Sequence, residues 1–162
     1  MTNIKKAFQF AKAKHKGQRY GDWEYTKHLQ DVVSVLERFN HTDKDLIIAG
    51  YLHDIIEDTS ATFSEIKEKF GIRVASLVNA VTDGPGKTRK QRKARAYSLI
   101  PKVPDAILIK LADRIANVEN AFKTKSYLLD MYKKEHKDFV KALYIPDQAE
   151  EMWNHLQTYI LK

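Results

Sequence analysis

The sequence predicts an all-α domain. Apolar residues recur at spacings of three and four along nearly the whole chain, and no stretch alternates with the period of two that a half-buried strand needs. Only 4 Pro and 6 Gly punctuate 162 residues. We therefore expect a compact bundle of roughly seven to nine helices in one domain spanning residues 1–162, long enough to bury a sizeable core.

Taken in order, Ile4, Ala7, Phe8 and Ala11 mark a first helix. A polar loop, KGQRYGDWEYTK, leads to His28 and a second helix carrying Leu29, Val32, Val33, Leu36 and Phe39. Thr42 with Asp45 reads as the cap of a third, which runs through Leu46, Ala49, Leu52 and His53 to Ile56. Thr62 with Glu65 opens a short fourth helix that Gly71 can close. Residues 72–82 place Ile72, Ala75, Val78 and Val81 on one face. The segment DGPGKTRKQRKAR is a Gly/Pro turn followed by a basic run over 87–95. After Pro104 comes the strongest helix, DAILIKLADRIANVENAF; two more follow, over about 127–143, stopped by Pro146, and from about 147 onward.

Lys and Arg number 28 against 21 Asp and Glu, a net charge of +7. Such an excess attracts polyanions without choosing between nucleic acid and a small phosphorylated ligand. Cysteine is absent, which removes disulfides, thiolate metal sites and Cys nucleophiles and fits a reducing compartment. The N-terminal MTNIKKAFQFAKAKHK lacks the unbroken apolar stretch of a signal peptide, and no apolar run is long enough to cross a bilayer. The expectation is a soluble, cytoplasmic protein.

The residues with most to say about chemistry are in GYLHDIIEDTS, where His53 and Asp54 are followed by Glu57 and Asp58 between Leu52, Ile55 and Ile56. On a continuous helix 53 stacks on 57 and 54 on 58, so all four project from one sector. Carboxylates on an inward face need a compensating cation. A divalent metal supplies one, and a mixed imidazole/carboxylate set suits Mn, Fe, Zn or Co better than Ca or Mg. Asp113, a carboxylate in a strongly apolar helix, and His28, at the start of a helix after a polar loop, are the candidates to complete the set. Glu57 and Asp58 would then orient and deprotonate a water. The plainer alternatives are a solvated Glu-Asp face and an Asp113 that pairs with Lys110, Arg114 or a neighbouring helix.

H…HD…D in an all-helical chain resembles the HD superfamily of metal-dependent phosphohydrolases. The stretches AKHKGQRYG, YTKH, LHDIIEDT, FGIRVASLVNAVTDG and IKLADRIANVENA are similar in order to the RelA/SpoT-type branch, specifically the small alarmone hydrolases. The resemblance implies that His28, His53, Asp54 and Asp113 are the metal ligands, with manganese the usual ion. It also implies that Glu57 and Asp58 are the acidic pair of hydrolysis, and that Asn117, Arg19 and Tyr132 face or line the nucleotide pocket. The implied reaction removes the 3′-pyrophosphate of guanosine tetra- or pentaphosphate. This chain departs from the family pattern at Leu29, where a Pro follows the first ligand, at Tyr20, where a Lys follows the Arg, and at WEY in place of Pro-Tyr. By the same resemblance, the three departures leave the metal ligands intact and touch the substrate pocket. They leave open an HD-type nucleotidase or phosphodiesterase acting on another nucleotide, and, in a different class, a basic nucleotide- or nucleic-acid-binding module without turnover.

The basic run has no interleaved aromatics, which argues against a nucleic-acid partner and for a cationic rim, with Lys87 at the turn as the member nearest the site. A solvated helix face is the commoner alternative. Trp23 and Tyr25 could stack on a base or plug a core edge. His15, His41, His136 and His155 read as surface residues. Trp153, with Met152, Leu156, Tyr159 and Ile160, reads as core or as a subunit contact, so a homo-oligomer stays open.

Overall fold

A computed structural model describes all residues, Met1–Lys162. In chain order the elements are α1 (Asn3–Lys14), a two-residue ribbon of β1 (Arg19–Tyr20) and β2 (Trp23–Glu24), α2 (Thr26–Arg38), α3 (Lys44–Leu52), α4 (Ile55–Asp58), α5 (Phe63–Phe70), α6 (Ile72–Val81), α7 (Arg89–Leu99), α8 (Ala106–Lys123), α9 (Leu128–Leu143) and α10 (Glu150–Ile160). Nine of the helices have eight residues or more, and α4 is a single turn. No helix is long and apolar enough to cross a membrane.

The longest helix, α8, packs against α2, α6, α9 and α10, while α3 packs against α1, α2 and α6. One continuous apolar cluster runs from Ala7 and Ala11 through Leu29, Leu36, Ile48, Leu52 and Ile115 to Phe139 and Leu156. Each such side chain larger than Ala, taken fully out of water, contributes about 1.5–3 kcal/mol. Met152 and Trp153 belong to this cluster.

Three local details fix how neighbouring helices meet. Gly50 lets α3 lie close to α2, since a Cβ there would sit 3.0 Å from Leu36 Cδ1 and 3.2 Å from Val33 Cγ2. Gly71, at φ 95°, ends α5 and starts α6 without a spacer. Arg95 donates from Nη1 to the carbonyls of Asn79 and Thr82, both at 2.8 Å, and so ties α7 to the end of α6.

Several sequence expectations need correction. The third helix does not run unbroken to Ile56. His53 donates from Nδ1 to the Gly50 carbonyl at 2.7 Å, the acceptor that an unbroken helix gives to the Asp54 N–H, and Asp54 leaves helical geometry at φ −101°, ψ 1°. The cap of α3 is Asp43, which accepts from Leu46 N at 3.1 Å, not Thr42. Ile72 is 55% exposed, and Val74 takes the inward position on α6. The loop after α1 contains the small β1–β2 ribbon, with Arg19 opposite Glu24 and Tyr20 opposite Trp23. The basic run forms most of α7, opened by a capping box in which Thr88 and Gln91 exchange side-chain bonds with each other's backbone N–H. His15 is buried, so it is not a surface residue.

Candidate active site

The site forms where α2, the α3–α4 break and α8 meet. His28 lies in the first turn of α2, His53 and Asp54 lie in the break, and Asp113 lies midway along α8. His28 and His53 are almost fully buried, with their Nε2 atoms 3.3 Å apart. Asp113 Oδ1 is 3.1 Å from His28 Nε2 and 3.6 Å from His53 Nε2. Asp54 Oδ2 is 2.9 Å from His53 Nε2 and 3.7 Å from His28 Nε2.

His53, Asp54 and Asp113 hold one another in a charged state. Burial alone lowers His53, but Asp54 and Asp113 outweigh it and raise it well above the ordinary imidazole value. Burial alone raises the two carboxylates; His53 then pulls Asp54 well below the usual range, and Lys110, His28 and His53 do the same for Asp113. The centre of the cluster is a place where positive charge is strongly favoured.

A divalent ion fits it. Ligand bonds of about 2.1 Å put neighbouring ligand atoms about 3.0 Å apart in an octahedron and about 3.4 Å apart in a tetrahedron. The separations of 2.9–3.7 Å between the His nitrogens and between each of them and the two carboxylates bracket both, with His28, His53 and Asp113 as the tightest group. The Gly50 carbonyl keeps a proton on His53 Nδ1, so a metal ion that displaces the other proton would find the lone pair on Nε2, as ligating histidines require. The His28 ring is held by Tyr20, stacked at 4.7 Å. His28, His53, Asp54 and Asp113 could therefore hold a transition-metal ion with two nitrogens and two oxygens.

Glu57 and Asp58 stand on α4 beside Asp54, and one oxygen of each lies within 4.8 Å of the others. Burial, then the Asp54 charge, pushes Glu57 up to about 7 and Asp58 up to about 6. Glu57 Oε1 accepts from Asp83 N at 2.7 Å, which leaves Oε2 free. Tyr25 donates its hydroxyl to Asp54 Oδ2 at 2.5 Å.

The cavity also has a cationic lining. Arg89, Lys93, Lys110 and Arg114 line the same cavity of about 220 Å³. Lys110 reaches Asp113 at 3.4 Å and Lys93 reaches Asp83 at 3.6 Å. Arg114 is buried against the faces of Tyr132 and Phe139 and shares Glu135 with Arg89, at 3.2 Å and 2.7 Å. Burial, with Lys110 nearby, lowers Lys93 to about 8. Buried histidines with half-buried carboxylates, a perturbed Glu-Asp pair and cationic side chains in one cavity are the parts of a phosphoryl-transfer site.

A model of the HD domain matches residues 7–138. The chain belongs to the HD-domain family. A guanosine-3′,5′-bis(diphosphate) 3′-pyrophosphohydrolase of Aquifex aeolicus is 41% identical over 121 residues, covering 72% of this chain and 17% of that protein. The enzyme of the same name called MESH1 is 35% identical in Homo sapiens, covering 74% of this chain and 69% of that one, and 35% identical in Danio rerio, covering 68% and 64%. The chain thus spans a small part of the bacterial relative and about two thirds of the animal ones. Among solved structures, a metazoan ortholog of SpoT that hydrolyses ppGpp superposes with a TM-score of 0.84 at 27% identity, covering 99% of this chain and 95% of that one.

Within this HD domain, the residues expected at the site are partly brought together. His28, His53, Asp54, Glu57, Asp58, Asp113, Asn117 and Tyr132 all line the one cavity. Arg19 and Lys87 do not. Arg19 turns back to the Asp22 carbonyl within its own ribbon, and the Lys87 backbone joins the cap of α7. Arg89 and Lys93, at the start of α7 and one turn further on, reach the cavity instead. Tyr25, one of the two aromatics read as base-stacking or core-edge residues, lines the cavity, and sequence reading missed Asp83, Lys93, Lys110 and Arg114 as cavity residues. For Lys93 the available signal was its place one turn after Arg89 on a capped helix face. Tyr20 was seen only as a departure; its hydroxyl donates to Asn117 Oδ1 at 2.7 Å, and Asn117 in turn donates to Asp113 Oδ1 at 2.8 Å.

Proposed function

We propose that this chain is a metal-dependent phosphohydrolase that removes the 3′-pyrophosphate of guanosine tetra- or pentaphosphate, working as one HD domain in the cytoplasm with manganese as its ion. The observation that carries the reading is that Glu57, the cluster of His28, His53, Asp54 and Asp113, and four cationic side chains line one cavity. The names of its relatives support the choice of substrate.

A divalent ion held by His28, His53, Asp54 and Asp113 would lower the pKa of a water and neutralise charge on phosphoryl oxygens. Glu57 then has the part of general base. Its Oε1 is occupied by the Asp83 N–H, so Oε2 is the atom that takes the water's proton. Burial and the Asp54 charge raise its proton affinity above that of an ordinary carboxylate, which suits a group that must accept a proton. Asp58, near 6, stays ionised and keeps the proton on Glu57 by its repulsion. Arg89, Lys93, Lys110 and Arg114 hold the phosphates against the cluster, and their positive charge offsets the charge that builds on the oxygens during transfer. Water oxygen bonds to the phosphorus attached to O3′, the P–O3′ bond breaks, pyrophosphate is released, and O3′ takes up a proton, from solvent or the one Glu57 accepted, to become the 3′-hydroxyl of GDP or GTP.

Tyr20 favours a second reading. Its ring covers His28 and its hydroxyl occupies Asn117, in the part of the pocket assigned to the base. A pocket remodelled there could prefer another 3′-phosphorylated nucleotide. Turnover of a nucleotide panel with manganese separates the two: the first reading requires guanosine tetraphosphate to have the highest kcat/KM, with activity lost in chelator. Release of phosphate from 5′-nucleotides with guanosine tetraphosphate untouched transfers the protein to the second.

A further inference from the structure

Behind the cavity lies a side-chain link with no part in the hydrolysis itself. His15 ends α1 and is 2% exposed. Its Nδ1 lies 2.8 Å from Gln18 Oε1, and Gln18 Nε2 donates to the Asp58 carbonyl at 2.8 Å. Because an amide nitrogen only donates, Oε1 must be the acceptor, and His15 must carry its proton on Nδ1. Gln18 is itself fixed from both sides of its backbone: its N–H donates to His15 O at 2.9 Å, and its carbonyl accepts from Tyr25 N at 3.1 Å. The His15 ring also lies against Tyr25, with centroids 4.8 Å apart.

We propose that His15 and Gln18 form a positioning pair that holds Asp58 and Tyr25 at the reacting side of the cavity. The inference rests on the hydrolase reading of the site. Asp58 is the last residue of α4, a four-residue helix that cannot persist without outside bonds and whose final carbonyls lack helical partners. Gln18 supplies one of those bonds from a segment 40 residues away. Tyr25 carries the other branch, since the residue that His15 packs against is the one that donates to Asp54. Neither His15 nor Gln18 lines the reacting cavity, so both act only through Asp58 and Tyr25. Neutral His15 is the form the link needs, and burial, which lowers its pKa, favours that form.

The test uses the full chain loaded with manganese. Gln18→Leu and His15→Leu remove the link at similar volume, whereas His15→Asn keeps a donor where Nδ1 stands. We expect the two Leu variants to lose kcat on the order of tenfold, with KM within about twofold and metal content unchanged, and His15→Asn to recover most of the loss. A lowered Tm with kcat per folded molecule unchanged in both Leu variants would reduce the pair to a structural cap and overturn the proposal. A second readout needs no turnover: ring ¹⁵N shifts of His15 should report the neutral Nδ1–H tautomer at pH 7, lost in Gln18→Leu. A charged ring or the Nε2–H tautomer in the unmodified protein contradicts the link. If the unmodified protein hydrolyses no nucleotide, the hydrolase reading fails, and the tautomer result still decides whether the link exists.

Discussion

The Nε2 atoms of His28 and His53 face each other across 3.3 Å, and each also faces a carboxylate oxygen. A proton on His53 or a bound cation can satisfy this convergence, and under the proposed function a divalent ion takes the place of the proton. The purified protein should therefore bind one transition-metal ion per chain. An ion at a hundredfold over its Kd adds about 2.7 kcal/mol to stability, so chelator should lower Tm by several degrees. Asp54→Ala should lose both the ion and this shift. Calorimetry and metal analysis check it; an Asp54→Ala protein that keeps its ion removes Asp54 from the cluster.

Glu57→Gln should retain the metal and the fold while losing about 10²- to 10⁴-fold in kcat. The base works when ionised, so kcat of the unmodified protein should rise with pH toward a plateau. Glu57 stands near 7 without the ion's charge, and a cation nearby lowers it, which puts the acid limb at or below about 7. The variant should lack this limb. A full rate in Glu57→Gln makes the carboxylate a bystander.

Lys93 should give KM an alkaline limb. Burial and its cationic neighbour hold it near 8, so it is charged below that pH and neutral above. Binding of a polyanion weakens as the charge is lost, and KM should climb as pH passes 8. Steady-state kinetics between pH 7 and 9 on the protein and on Lys93→Met measure it; the variant should show a raised KM with no further climb.

Arg89 and Lys90 are adjacent in sequence but differ in place. Arg89 lines the cavity and holds Glu135, whereas the Lys90 side chain is 88% exposed. Arg89→Gln should raise KM about tenfold or more. Lys90→Gln should leave KM nearly unchanged at physiological salt, where exposed charge is screened within about 8 Å. Equal effects of the two would return the whole basic run to a steering role.

What could be read from the sequence was set by residues out of character with their surroundings. His53 and Asp54 among leucines and isoleucines, and Asp113 within IKLADRIAN, are polar groups where apolar ones belong, and these are the groups that meet. The break in the third helix was not legible, because it arises from one side chain competing for the Gly50 carbonyl, and the apolar pattern continues across it. Lys93 read as an exposed cation because charge in a basic run normally faces water, whereas Lys110 was readable as one of several partners for Asp113. They are buried here, Lys93 beside Asp83 from another element and Lys110 beside Asp113 one turn along its own helix. His15 read as surface because nothing local shows that the turn at Gly17 returns Gln18 and Tyr25 over its ring. The ribbon at Arg19–Tyr20 and Trp23–Glu24 is too short for any alternation to register.

The most direct test is hydrolysis of guanosine tetraphosphate by the manganese-loaded protein in ¹⁸O-labelled water, with products identified by chromatography and mass spectrometry. Attack of water on the phosphorus attached to O3′ predicts unlabelled GDP and pyrophosphate carrying one ¹⁸O. Inorganic phosphate as the first product, label in the ribose hydroxyl, or an untouched substrate would contradict the proposed reaction.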